Sequence, residues 1–172
     1  FKGDFNSKKF DDAYVNWTFL IDKCPDLSIN IYKYGATLAE DVKKDPALAK
    51  KVYEQRLKYY PNDNPAKVHS DYADYLAKNN LASEQEIFDI LQKAYKISPK
   101  DMSVKNIYKY FQGVTDKFKD SDPQKVFDTY DDVLENVTLA LKVLEGMKLP
   151  EANEKALDTL AKFDMSIHQH KY

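Results

Sequence analysis

Glycine, cysteine and proline are scarce in this 172-residue chain, with four glycines, one cysteine and seven prolines. With Cys24 alone, no intrachain disulfide can form, and neither a CxxC redox pair nor a paired-cysteine zinc pattern exists. So few turn-forming residues disfavour a many-turned β-sandwich and fit long helices joined by short loops. An excess of either charge is missing too. Twenty-six Lys and Arg against 28 Asp and Glu leave a formal charge of −2, so no global field attracts nucleic acid or an anionic membrane. No apolar run approaches the roughly 20 residues of a membrane span. The chain opens on Phe1, with neither a methionine nor a signal-type apolar stretch, as expected of a processed protein or an excised fragment. Its length suits one domain, and a compact chain of this size buries roughly 70% of its unfolded surface, enough for a core without metal or disulfide.

What is present is apolar periodicity. Apolar residues recur at three- and four-residue steps, the spacing of one helix face. They predict helices near 8–23, 27–43, 46–60, 66–79, 83–97, 101–119, 123–146 and 150–168. Pro25, Pro61 and Pro99 cannot continue a helix and disfavour it in the residue before. Ser83 with Glu86 has capping-box spacing. Pro123 and Pro150 sit where a first helical turn tolerates the missing N–H.

The three stop prolines share a register. Five, eight and twelve residues before Pro25 stand Leu20, Trp17 and Ala13. Before Pro61 the same count gives Arg56, Tyr53 and Ala49, and before Pro99 it gives Ala94, Leu91 and Ile87. The prolines lie 36 and 38 residues apart. This resembles the second helix of the tetratricopeptide repeat, whose period is about 34 residues. The preceding segments resemble that repeat's first helix, apolar at its fourth, seventh, eighth and eleventh positions. Ile31, Tyr34, Gly35 and Leu38 fit, then His69, Tyr72, Ala73 and Leu76, then Val104, Ile107, Tyr108 and Phe111. Gly35 and Ala73 are small where paired helices approach closely; Tyr108 breaks that rule. Arg56 stands where alanine is usual, and the last pair carries Thr138 instead of a stop proline. The resemblance covers residues 5–138 and implies an all-α fold, a right-handed α-α superhelix. It would be a single solenoid domain of antiparallel helix pairs, about 3.5 repeats ending near 25, 61, 99 and 138. A C-terminal helix at 150–168 would cap it, since terminal units must cover an apolar face.

The resemblance also implies a concave groove lined by the first helices. Carried over residue by residue, its lining is Ile29, Tyr32, Ala36, Ala39 and Glu40 in the first of these helices. The second contributes Lys67, Ser70, Asp74, Ala77 and Lys78, and the third Met102, Lys105, Lys109, Gln112 and Gly113. Of these, Tyr32, Lys67, Asp74, Lys78, Lys105 and Lys109 are the candidate partner-binding residues. Four lysines against two carboxylates make the face mildly basic, suited to a partner segment of acidic character. Asp74 stands where chaperone-tail binders of the family place an asparagine, and its charge would repel a C-terminal carboxylate. The expected function is a non-catalytic scaffold holding a protein or peptide partner, with no cofactor; the alternative is an accessory or spacer domain of a larger envelope enzyme or transport complex. Degenerate, aromatic-rich repeats in bacterial cell-envelope proteins look similar, which implies a periplasmic or envelope setting, with a cytoplasmic one as the alternative.

Remaining motifs have plainer readings. Trp17, Tyr53 and Leu91 are expected to wedge between helices. His168 and His170, two residues apart, diverge around a helix and lack a third ligand. Asp11-Asp12 and Asp131-Asp132 are adjacent and diverge likewise. Asn16-Trp17-Thr18 and Asn136-Val137-Thr138 match a glycosylation sequon but fall within expected helices. No P-loop, GxGxxG or GxSxG occurs.

Overall fold

A computed structural model gives the fold, and the structure describes residues 9–146. The expected capping helix at 150–168 and the paired histidines lie outside the described residues. Within them are seven α-helices and no strand: α1 (Phe10–Lys23), α2 (Asn30–Thr37), α3 (Pro46–Tyr59), α4 (Pro65–Lys78), α5 (Glu84–Ile97), α6 (Val104–Phe118) and α7 (Pro123–Gly146). The all-helical class is as the periodicity predicts.

The helix ends follow from local chemistry. Asp45 caps α3 by accepting from the amides of Ala47 and Leu48 at 3.0 and 3.2 Å, with Pro46 in the first turn. Ser83 and Glu86 form the expected reciprocal box at the start of α5: the serine hydroxyl accepts from the Glu86 amide at 3.2 Å, and the Glu86 carboxylate accepts from the Ser83 amide at 2.8 Å. Pro65 and Pro123 open α4 and α7 without sacrificing an intrahelical bond.

The three stop prolines act alike. Helices α1, α3 and α5 each end two residues before one, at Lys23, Tyr59 and Ile97. In each case the residue just before the proline leaves helical geometry and donates its N–H to the carbonyl four residues back. Cys24 bonds to Leu20 at 2.9 Å, Tyr60 to Arg56 at 2.9 Å and Ser98 to Ala94 at 3.0 Å. The acceptors are the residues aligned five before each proline. Arg56 is tolerated there because its guanidinium donates to Asp63, in the turn beyond Pro61, at 3.0 Å.

Two boundaries differ from the periodicity. The expected helix at 27–43 continues past Thr37 as a π-helical turn, Leu38–Val42, closed by Lys43 donating to Leu38 at 2.8 Å and followed by Lys44 in the left-handed region (φ 49°). The helix expected from 101 begins at Val104. Pro99–Asp101 form a 3₁₀ turn, and Ser103 caps α6 by accepting from the Asn106 amide at 3.2 Å.

By contacts the described residues divide into two compact units, parted between Val68 and His69. In the first unit α1 packs on α2 and α2 on α3. The core there is Ala13, Trp17, Ile21, Ile31, Tyr32, Leu38, Ala49, Val52 and Tyr53, all buried. In the second unit α5 packs on α6 and α6 on α7. Its core includes Phe88, Leu91, Ala94, Tyr95, Ile107, Tyr110, Phe111, Val114 and Val133. Trp17, Tyr53 and Leu91 thus all fill interhelix space.

Gly35 shows how tightly the first pair is held. A Cβ there would lie 2.7 Å from Trp17 Nε1 and 2.9 Å from its ring, while the indole N–H donates to the Ile31 carbonyl at 2.7 Å. The ring is buried and anchored, so it cannot swing aside cheaply. For Gly35→Ala, overpacking costs roughly 1–3 kcal/mol against a helix-propensity gain of about 1 kcal/mol. Denaturant unfolding should therefore show a net loss on the order of 1 kcal/mol; a stabilised variant would contradict the close approach.

Candidate functional site

The second unit carries a recess of about 420 Å³ where the end of α4, the α4–α5 turn, the start of α5 and the second half of α6 meet. Its walls follow from small residues. Ala77 on α4 and Ala82 in the turn leave the space open, and Ile87, Phe88 and Leu91 of α5 supply apolar surface. Gly113 is bare for a steric reason, since a Cβ would come 2.2 Å from the Phe88 ring. Asn80, in the left-handed region at φ 52°, turns the chain beside it. Glu84, Lys109, Gln112 and Asp116 complete the lining.

An aromatic column leads away from this recess. Phe88 stacks on Tyr110 with ring centroids 6.0 Å apart, and Tyr110 on Tyr95 at 4.5 Å. The Tyr95 hydroxyl donates to the Asp132 carboxylate of α7 and accepts from the Asn136 amide at 2.9 Å. Burial, then the bond to Asp132, holds the Tyr95 hydroxyl above its ordinary pKa; burial and the Asp132 charge raise Tyr110. In the first unit Tyr32 is raised by burial and by neighbouring Tyr59, Tyr60 and Asp26. His69 is lowered by burial and by the Lys93 charge. These shifts favour the uncharged form of each group. They are consequences of packing, and none of the four lines the recess.

The raised tyrosines have a pH signature. The folded chain holds protons that the unfolded chain releases near pH ~10, so stability present below that pH is lost as pH rises through and beyond it. Spectrophotometric titration should show a group of the 13 tyrosines ionising late, together with loss of helicity. All of them titrating together with helicity intact would contradict the burial of Tyr32, Tyr95 and Tyr110.

The structure separates the six sequence-derived candidates. Lys109 lines the recess, beside Ala77, Gln112 and Gly113 from the same expected groove. Asp74 and Lys105 meet across α4 and α6 at 3.2 Å, so one of the expected groove lysines is neutralised by one of its carboxylates. Lys67 and Lys78 are exposed and away from the recess lining. Tyr32 does not present an open surface. It is fully buried, its hydroxyl donating to the Pro25 carbonyl at 2.6 Å and its ring edge-on to Tyr60 at 5.8 Å. Ala39, Ser70 and Met102, also assigned to the groove, are buried too. Ser70 accepts from the Asn106 side-chain amide at 2.6 Å, a link between α4 and α6 inside the second unit.

Sequence reasoning missed the α5 contribution, Glu84 above all, because the family groove is lined by first helices alone. The available signal was the set of small residues, Ala77, Ala82 and Gly113, at neighbouring helix ends. Among the described residues no three His, Cys, Asp or Glu side chains gather as a metal group, and no helix is long and apolar enough to cross a membrane. No family model matches the chain, and no curated protein or solved structure matches it either.

Proposed function

We propose that this chain is a tetratricopeptide-like helical scaffold that holds a segment of a partner protein, with the recess between α4, α5 and α6 as the seat of an anchoring side chain. The observation that carries this reading is the recess itself, lined about equally by apolar and polar surface and at the lower end of the roughly 300–1,000 Å³ range of ligand sites. The recurrent proline-stopped helix ends support the repeat character, since three segments at near-equal spacing terminate with the same hydrogen bond. The close Gly35–Trp17 contact supports the pairing of helices that the family requires.

A photo-cross-linking residue at Gln112, exposed at the recess edge, tests this in cells of the native host. Cross-links to a discrete segment of another protein are expected from position 112. They are not expected from the exposed Lys100 in the turn beyond the far end of α5. Equal labelling from both positions, or none from either, would remove the recess as the partner seat.

A further inference from the structure

We infer that the recess selects a segment whose apolar anchor is flanked by lysine or arginine, the opposite sign to that suggested by the lysines along the first helices. This rests on the partner-segment reading above and specifies its chemistry.

The sign follows from which charges actually reach the recess. Of the expected groove lysines only Lys109 lines it; Lys105 is paired with Asp74, and Lys67 and Lys78 lie elsewhere. Against Lys109 stand two carboxylates, Glu84 at the start of α5 and Asp116 in the last turn of α6. None of these three charges forms an ion pair among the described residues, so the carboxylates are available to an incoming cation. Lys117 holds its ammonium over the Phe88 and Phe118 rings, at 5.4 and 5.9 Å from their centroids, outside the recess lining. It partly offsets the carboxylates, and it also shows that the aromatic surface here attracts a cation.

Backbone dipoles add to the same sign. The recess lies at the C-terminal ends of α4 and α6 and at the N-terminal end of one helix, α5. Helix termini carry roughly half an elementary charge, negative at the C-terminus and positive at the N-terminus, so the recess borders two negative ends and one positive end. Apolar lining for the anchor comes from the half-buried Ile87 and the edges of the buried Phe88 and Leu91, and the space from Ala77 and Ala82. An acidic segment would bring its charge against Glu84 and Asp116, with Lys109 alone among the lining residues to receive it.

The test uses the full chain, ¹⁵N-labelled, and three blocked nine-residue Gly/Ser peptides. One carries a central leucine flanked by lysines, one the same leucine flanked by glutamates, and one a central glycine flanked by lysines. The Gly113 amide, one of only four glycine signals, reports occupancy. The lysine-flanked leucine peptide is expected to shift it saturably and to bind at least about tenfold tighter than the glutamate-flanked one, a difference of roughly 1.4 kcal/mol. The central-glycine peptide is expected to leave it unshifted. The double variant Glu84→Gln/Asp116→Asn should bring the first two peptides within about threefold, while its amide spectrum shows the fold retained. Equal or tighter binding of the glutamate-flanked peptide would overturn this inference and leave the partner-segment reading standing. No shift of Gly113 by any peptide would overturn both. A concentration-dependent shift without peptide would mean a second copy fills the recess, which also overturns it.

Discussion

Replacing Trp17 with alanine is expected to cost about 3–5 kcal/mol, the range for removing a fully buried large aromatic. The indole is completely buried, lies against the bare backbone of Gly35 and donates to the Ile31 carbonyl at 2.7 Å. Its loss opens a void between α1 and α2. Whole domains are stable by about 5–15 kcal/mol, so the variant should lose much of the first unit's margin. Trp17→Phe separates the two contributions. It keeps most of the volume but removes the indole N–H, and a net hydrogen bond contributes about 0.5–1.5 kcal/mol. Urea unfolding followed by helical circular dichroism should rank wild type above Trp17→Phe, and Trp17→Phe well above Trp17→Ala. A Trp17→Ala midpoint equal to wild type would show that the ring is not the wedge between these helices.

The second large effect is at Phe111. Alanine there should also cost about 3–5 kcal/mol, because the ring is fully buried on α6 and lies 6.1 Å from Tyr130 of α7. The informative comparison is its neighbour. The sequence puts Tyr108 in the packing register, whereas the structure leaves it half-buried and buries Tyr110. Tyr108→Ala, which loses a half-buried ring and the bond its hydroxyl accepts from Gln112 at 2.9 Å, should therefore cost clearly less than Tyr110→Ala. If Tyr108→Ala proved the costlier, α6 would be rotated from the face described.

That register is where the sequence misleads. The α6 stretch Tyr108-Lys109-Tyr110-Phe111 offers aromatics on adjoining faces, and periodicity alone cannot choose between them. The buried set is Ile107, Tyr110, Phe111 and Val114, the expected spacing displaced by three residues. The helix also starts three residues later than expected, after a three-residue 3₁₀ turn and a serine cap. Where local chemistry governs, the sequence is a good guide: the proline stops, the Ser83–Glu86 box and the glycine beneath Trp17 all sit where hydrogen bonding and sterics require. The proline at position 61 even anticipates the accommodation of Arg56, since the turn it forces carries Asp63 back within 3.0 Å.

The site was harder to read because its charges are decided by partners distant in sequence. Lys105 and Asp74 stand 31 residues apart, and nothing local shows that each cancels the other. Tyr32 looked like an open-face residue by equivalence with the family. The turn after α1 and the end of α3 bring Pro25 and Tyr60 over it, and it becomes core. Glu84 is legible only as a first-turn residue of α5 until α6 is placed against that helix.

In both units a glycine on one helix lies bare against an aromatic ring of its neighbour, Gly35 on Trp17 and Gly113 on Phe88. Proton NMR of the whole chain tests it without any substitution or partner. Both glycine α-protons should be displaced by ring currents and should show through-space cross-peaks to the Trp17 and Phe88 ring protons. Undisplaced α-protons, with no such cross-peaks at either glycine, would contradict the paired-helix packing and the recess with it.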